Sequence, residues 1–146
     1  MNSRPFTTPF FLRFGAYALV LNGIWEFAQC FFLYDMKGWK APTSTFSMAA
    51  AMLGDLAAAI VVICPAAPSM GGKSAPTANR RMLVTAVMLG ALVGIIMEWC
   101  APVAHLWNYT ALMPVVRIAS VTVGVVPVLQ MALLPALSLL LAARNS

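Results

Sequence analysis

The chain has 146 residues, of which 62% are hydrophobic and 9% charged, whereas soluble domains carry roughly 25% charged residues. That composition excludes an ordinary soluble domain and suits four membrane spans of about 20 residues joined by short loops. The net charge of +5 rests on nine bases placed mostly at the ends of apolar runs. Such bases mark topology and headgroup contact rather than a nucleic-acid surface.

A polar lead with Arg4 precedes the first predicted span, residues 9–34. The run is too long for a signal-peptide core, carries Glu26 and lacks a small-x-small cleavage site after it, so a retained helix is expected. Arg13 lies one turn inside and reaches back to the headgroups. On this helix Asn22, Glu26 and Gln29 fall at i, i+4 and i+7, with Trp25 beside them. A carboxyl, two carboxamides and an indole on one stripe do not face lipid, because an unpaired charge in hydrocarbon is costly. They face protein, water or a ligand.

The loop that follows contains Trp39, an interfacial anchor, and breakers Gly38 and Pro42. Thr43, Ser44 or Thr45 is expected to cap the second span, residues 44–64. Asp55 lies near its middle, with Ala51, Ala58 and Ala59 on the same face. Small neighbours admit another helix, which turns Asp55 toward the bundle. Residues 65–81, rich in Pro, Gly, Ser and Ala, read as a flexible inner loop. The third span, 82–101, holds Gly90-x3-Gly94, a helix-contact pattern, and Glu98 near its end. His105, Trp107 and Tyr109 follow, as an interfacial belt or a lid. The fourth span, 115–142, carries Gln130, is interrupted by Gly124, Pro127 and Pro135, and is expected to kink near Pro127.

With both termini cytoplasmic, the inner segments hold Arg4, Arg13, Lys73, Arg80, Arg81 and Arg144, and the outer ones only Lys37, Lys40 and Arg117. The positive-inside rule therefore places both ends in the cytoplasm. In that orientation Glu26 lies roughly 12 Å and Asp55 roughly 16 Å below the outer surface, at about 1.5 Å per helical residue. The fold class is thus an all-α, four-helix transmembrane domain. Its expected site is a polar cavity in the outer half, lined by Asn22, Glu26, Gln29, Asp55, Glu98 and Gln130. Trp25 flanks the site, and His105, Trp107 and Tyr109 cover its mouth.

Glu98-x-Cys100-x4-His105 matches no strong zinc pattern, and one histidine cannot supply bis-histidine haem ligation, so no metal or cofactor is assigned. Cys30 and Cys100 lie near one membrane face, but no spacing requires them to pair. No phosphate loop, zinc-protease helix or nucleophile elbow is present.

The ordered set Asn22-x2-Trp25-Glu26-x2-Gln29, Gly54-Asp55, Glu98, Trp107-x-Tyr109, Met113-Pro114 and Pro127-x2-Gln130 resembles a type of small integral membrane protein of bacteria. That likeness implies a multi-pass protein of the inner membrane and no particular activity. Over residues 98–130, the helix-end Glu98, Trp107-x-Tyr109 and Gly124-Val125-Val126-Pro127 resemble membrane carotenoid-modifying proteins of the heterodimeric lycopene cyclase and carotenoid hydratase kind. Those act on isoprenoid chains by acid chemistry. Where the cyclases carry a glutamate pair, this chain has Val128-Leu129-Gln130.

Three functions stay open at this point. The first is a membrane protein that binds a lipid-like or small polar ligand, or docks to a membrane protein partner or a second copy through the same cavity. The second is an isoprenoid or lipid enzyme with Glu26 or Asp55 as the buried acid. The third is a proton-coupled transporter, which needs an oligomer because one short chain without an internal repeat makes no pathway.

Overall fold

The computed structural model describes residues 8–35, 40–64, 78–103 and 107–144. Arg4, Trp39, His105 and most of the expected inner loop lie outside the described residues. Four helices and one hairpin make up the described chain: α1 (Thr8–Phe32), α2 (Ala41–Ile63), α3 (Arg80–Val103), β1 (Val115–Ile118), β2 (Val121–Gly124) and α4 (Val125–Arg144). Three segments, Thr45–Ile63, Arg80–Ala101 and Val125–Arg144, are long and apolar enough to cross a membrane. The chain therefore has the makings of a membrane protein. Helix α1 is longer than any of them at 25 residues, but Arg13, Asn22, Glu26 and Gln29 dilute its hydropathy.

Local chemistry accounts for the helix ends. Pro42 lies in the first turn of α2, where its missing N–H costs nothing. That places the helix start at Ala41, ahead of the expected caps Thr43, Ser44 and Thr45. Asn79 caps α3, its Oδ1 accepting the Met82 amide at 2.9 Å.

The fourth element departs from the expected single helix over 115–142. Val115, Val116, Ile118, Val121, Thr122 and Val123 are β-branched residues that suit strands. They form an antiparallel ribbon, with Val115 opposite Gly124 and Ile118 opposite Val121. Ala119, in the turn, takes a positive φ of 56°. Helix α4 then starts at Val125, whose amide donates to the Pro114 carbonyl at 2.9 Å. Pro127 consequently sits in the first turn, where proline needs no kink. Pro135 is the proline inside the helix.

Helix α4 is the centre of the bundle. About 56% of its membrane-compatible window is buried, against 22% for the windows in α2 and α3. It packs on α1, α2 and α3. The closest approach is to α3, where a Cβ on Gly90 would stand 2.0 Å from the Met131 carbonyl oxygen. On Gly94 it would stand 3.0 Å from the Val128 Cα. Gly90-x3-Gly94 thus brings two backbones together, as small residues do between membrane helices.

The helices alternate in direction, and this splits the bundle into two unlike ends. At one end Phe10, Phe14 and Ala18 of α1 meet Ala59 and Val62 of α2, Met82 and Ala86 of α3, and Leu139 and Ala142 of α4, all buried. At the other end lie the buried polar groups Asn22, Glu26, Gln29, Asp55, Glu98 and Gln130. One end is apolar but for the buried Ser138 hydroxyl of α4, and the other is polar.

Gly90→Ala is expected to destabilise the bundle by roughly 1–3 kcal/mol, the usual cost of forcing atoms into a filled interior. Gly15→Ala, where a Cβ meets nothing within 4 Å, is the matched control and should leave stability unchanged or slightly raised. Unfolding in detergent, followed by circular dichroism, checks the pair, and equal midpoints would contradict the close α3–α4 contact.

Candidate functional site

The site is built on Gln130, a carboxamide 1% exposed near the start of α4. The i, i+4, i+7 spacing on α1 places Asn22, Glu26 and Gln29 on the buried face against it. Gln29 Nε2 donates to Gln130 Oε1. That bond fixes which way the Gln130 amide points, leaving its Nε2 facing the acids. From Nε2, contacts run to Asn22 Oδ1 at 3.0 Å, Glu26 Oε1 at 3.1 Å and Asp55 Oδ2 at 2.8 Å. Asn22 is oriented in turn by donating its own Nδ2 to the Ala18 carbonyl at 2.8 Å. Glu26 and Asp55 thus face the same amide nitrogen of Gln130.

Glu98 has a separate support. Its Oε2 accepts from the Tyr109 hydroxyl and from the Gly124 amide, the latter at 3.3 Å. A Cβ on residue 124 would stand 2.8 Å from that oxygen, so a side chain there would push the Glu98 carboxyl aside. The hairpin that replaces the first part of the expected fourth helix therefore supplies a ligand for Glu98. The strap 107–110 is pinned to the end of α1 by two backbone bonds: the Asp35 amide to the Asn108 carbonyl, and the Thr110 amide to the Leu33 carbonyl, both 2.9 Å. The Tyr34 ring packs on Trp107 and Tyr109, with centroids 5.9 Å away in each case.

These groups surround a cavity of about 440 Å³, within the range of small-molecule sites. Gln130, Glu26 and Asp55 form its buried floor, while exposed Asp35 and Phe46 stand at its mouth. Met48, Met97, Met131, Pro127 and Trp107 make apolar walls. The protein has four acidic residues, and all four line this cavity. Among the described residues no lysine, arginine or histidine lines it.

The sequence-derived candidates thus fall into distinct places. Glu26, Asp55, Glu98, Gln130 and Trp107 line the cavity. Asn22 and Gln29 stand behind the floor and orient Gln130, and Tyr109 stands behind Glu98. Trp25 lies outside the lining, half-buried, its indole N–H without a hydrogen-bond partner among the described residues. His105 lies outside the described residues. Cys30, Cys64 and Cys100 are free thiols, and Cys30 lines the cavity. Sequence reasoning missed Tyr34 and Gly124: Tyr34 reads as the end of a span and Gly124 as a helix breaker. Comparison with protein-family models, curated proteins and solved structures gives no match for this chain.

Burial, reinforced by the hydrogen bond to Glu98, pushes the Tyr109 phenol well above the ordinary tyrosine value, which is about 10. Because the folded value is the higher one, the stabilising contribution of this phenol is complete below pH about 10 and is lost as pH rises beyond it. The difference in tyrosinate absorbance between wild type and Tyr109→Phe should show no step from pH 10 to 11 in the folded protein. A step there would show that Tyr109 is solvated rather than bonded to Glu98.

Proposed function

We propose that this chain is a four-span protein of the bacterial inner membrane, both termini cytoplasmic, that binds a small amphipathic molecule in the outer half of the bundle. Helix α1 is the fourth span, its polar stripe turned wholly onto the protein interior, so that the face it offers to lipid is apolar (Leu12, Val20, Ile24, Phe27 and Phe31 are exposed). The observation that carries the reading is the cavity itself. It has apolar walls, a polar floor held in fixed orientation, and every acid of the chain on its lining. Few polar groups set in apolar walls are what bind a molecule with one polar end and a hydrocarbon body. A bundle using polar residues only as glue between helices would have no reason to leave about 440 Å³ beside them.

A second reading has its own observation. Glu26 and Asp55 lie together on the floor of a cavity with apolar walls, where a carboxylic acid can protonate a polyene or another lipid double bond. Incubation with isoprenoid polyenes and product analysis tests it, and turnover unaffected by Asp55→Asn removes it.

Native mass spectrometry of the full chain, extracted in mild detergent, tests the first reading. Ala51 lines the cavity, and Ala51→Phe should fill part of it. A discrete bound mass is expected in wild type and should be lost from folded Ala51→Phe. A bare chain in both, or a mass retained equally by both, would overturn the binding reading and leave the polar stripe as an assembly surface.

A further inference from the structure

Asp35, Phe46, Ala50 and Gly54 are at once exposed and on the lining of the cavity, so they mark where it opens. Asp35 and Phe46 stand at the mouth. Phe46, Ala50 and Gly54 follow one another at i, i+4 and i+8, which puts them in one line along α2. The opening is therefore a slot running down from the mouth, about 12 Å long at about 1.5 Å per helical residue. Gly54 is the middle residue of the membrane-compatible segment Thr45–Ile63, and a Cβ on it would meet nothing within 4 Å. The cavity is open sideways at mid-span.

The slot lies between α2 and α3. Met52 marks the side of α2 that meets α1, because a Cβ on Gly23 would stand 2.7 Å from the Met52 Cε. Gly54, two residues further at roughly 100° per residue, is on the opposite side of the helix. Met97 brings α3 to the lining. Toward the apolar end the gap closes, where Ala59 and Val62 of α2 share one buried cluster with Met82 and Ala86 of α3. At mid-span the medium outside a bundle is hydrocarbon, so what stands at this opening is a lipid chain.

Resting on the binding reading above, we infer that the cavity takes its ligand sideways from the bilayer through this slot. The ligand is a long-chain lipid whose polar end reaches the floor at Gln130 and whose tail stays in the surrounding hydrocarbon. A closed pocket of about 440 Å³ would limit the length of the tail, and a slot open at mid-span does not. The juxtaposition that carries this is an exposed glycine next to a floor residue, Gly54 beside Asp55, at the middle of one span.

The test uses the full chain in lipid nanodiscs and two photoreactive alcohols, hexadecanol and butanol, each with a diazirine beside its hydroxyl end. Hexadecanol resides in the bilayer and butanol largely in water. Crosslinks are mapped by mass spectrometry. Met131, 3% exposed and on the lining, reports the cavity, and Leu133, 49% exposed, reports the outer face of α4. In wild type the hexadecanol probe is expected to label both residues. The double variant Ala50→Leu/Gly54→Leu, which puts branched chains into the slot, should lose the Met131 label and keep the Leu133 label, which also shows that it is folded and embedded. The comparison of the two alcohols in wild type needs no variant. Met131 labelled equally in wild type and folded variant, or labelled in wild type by butanol and not by hexadecanol, would overturn sideways entry and leave a cavity filled through its mouth. Met131 labelled by neither alcohol while Leu133 is labelled would overturn the binding reading itself.

Discussion

One carboxamide holds the polar end of this protein together. Gln130 accepts from Gln29 and offers its amide to Asn22, Glu26 and Asp55, so groups from α1 and α2 converge on a single point of α4. Two constraints make this arrangement specific. In hydrocarbon a polar side chain has no water to turn to, so each must find its partner within the protein. The amide of Gln130 is also asymmetric, and the bond from Gln29 allows it only one useful orientation. A leucine there would leave several buried groups without partners, and a glutamate would lose the amide that Asn22, Glu26 and Asp55 share.

The rest of the fold follows from keeping that point supplied. Gly90 and Gly94 draw α4 against α3, which brings Glu98 to the same end of the bundle. The alternation of helix directions collects the apolar contacts of Phe10, Phe14, Val62, Met82 and Leu139 at the opposite end. That end supplies packing, which leaves the polar end free to stay open. The strap 107–110 and the hairpin close over it, with Tyr109 and Gly124 both bound to Glu98. Loop and strand backbone at this position finds its partners in α1 and in the hairpin itself, as irregular backbone near a membrane must.

Much of this was legible in the residues. The spacing of Asn22, Glu26 and Gln29 names the buried face of α1, and Gly90-x3-Gly94 names the contact face of α3. Asp55 among alanines points inward for the same reason of close packing. The hairpin was not legible, because Val115 to Val123 is as apolar as a membrane helix, and hydropathy does not separate a β-branched ribbon from a span. Its exposed β1 and buried Gly124 depend on contacts with Tyr109 and Glu98 that no local pattern records. The kink expected at Pro127 is not confirmed: with α4 starting at Val125, that proline lies in the first turn. The division of labour in the site was equally hidden. Helix periodicity groups Asn22, Gln29 and Glu26 as equals, whereas only Glu26 reaches the cavity and the two carboxamides stand behind Gln130.

The most direct test is a double-mutant cycle between Gln130→Leu and Asp55→Leu, read as unfolding free energy of the full chain in detergent micelles. Each single change strands the partner it leaves behind, and the double change removes both polar groups together. A coupling energy of about 0.6–1.7 kcal/mol is expected, between the average and the maximum for hydrogen bonds joining membrane helices. Strictly additive effects would contradict the convergence on Gln130, and with it the orientation of the cavity floor.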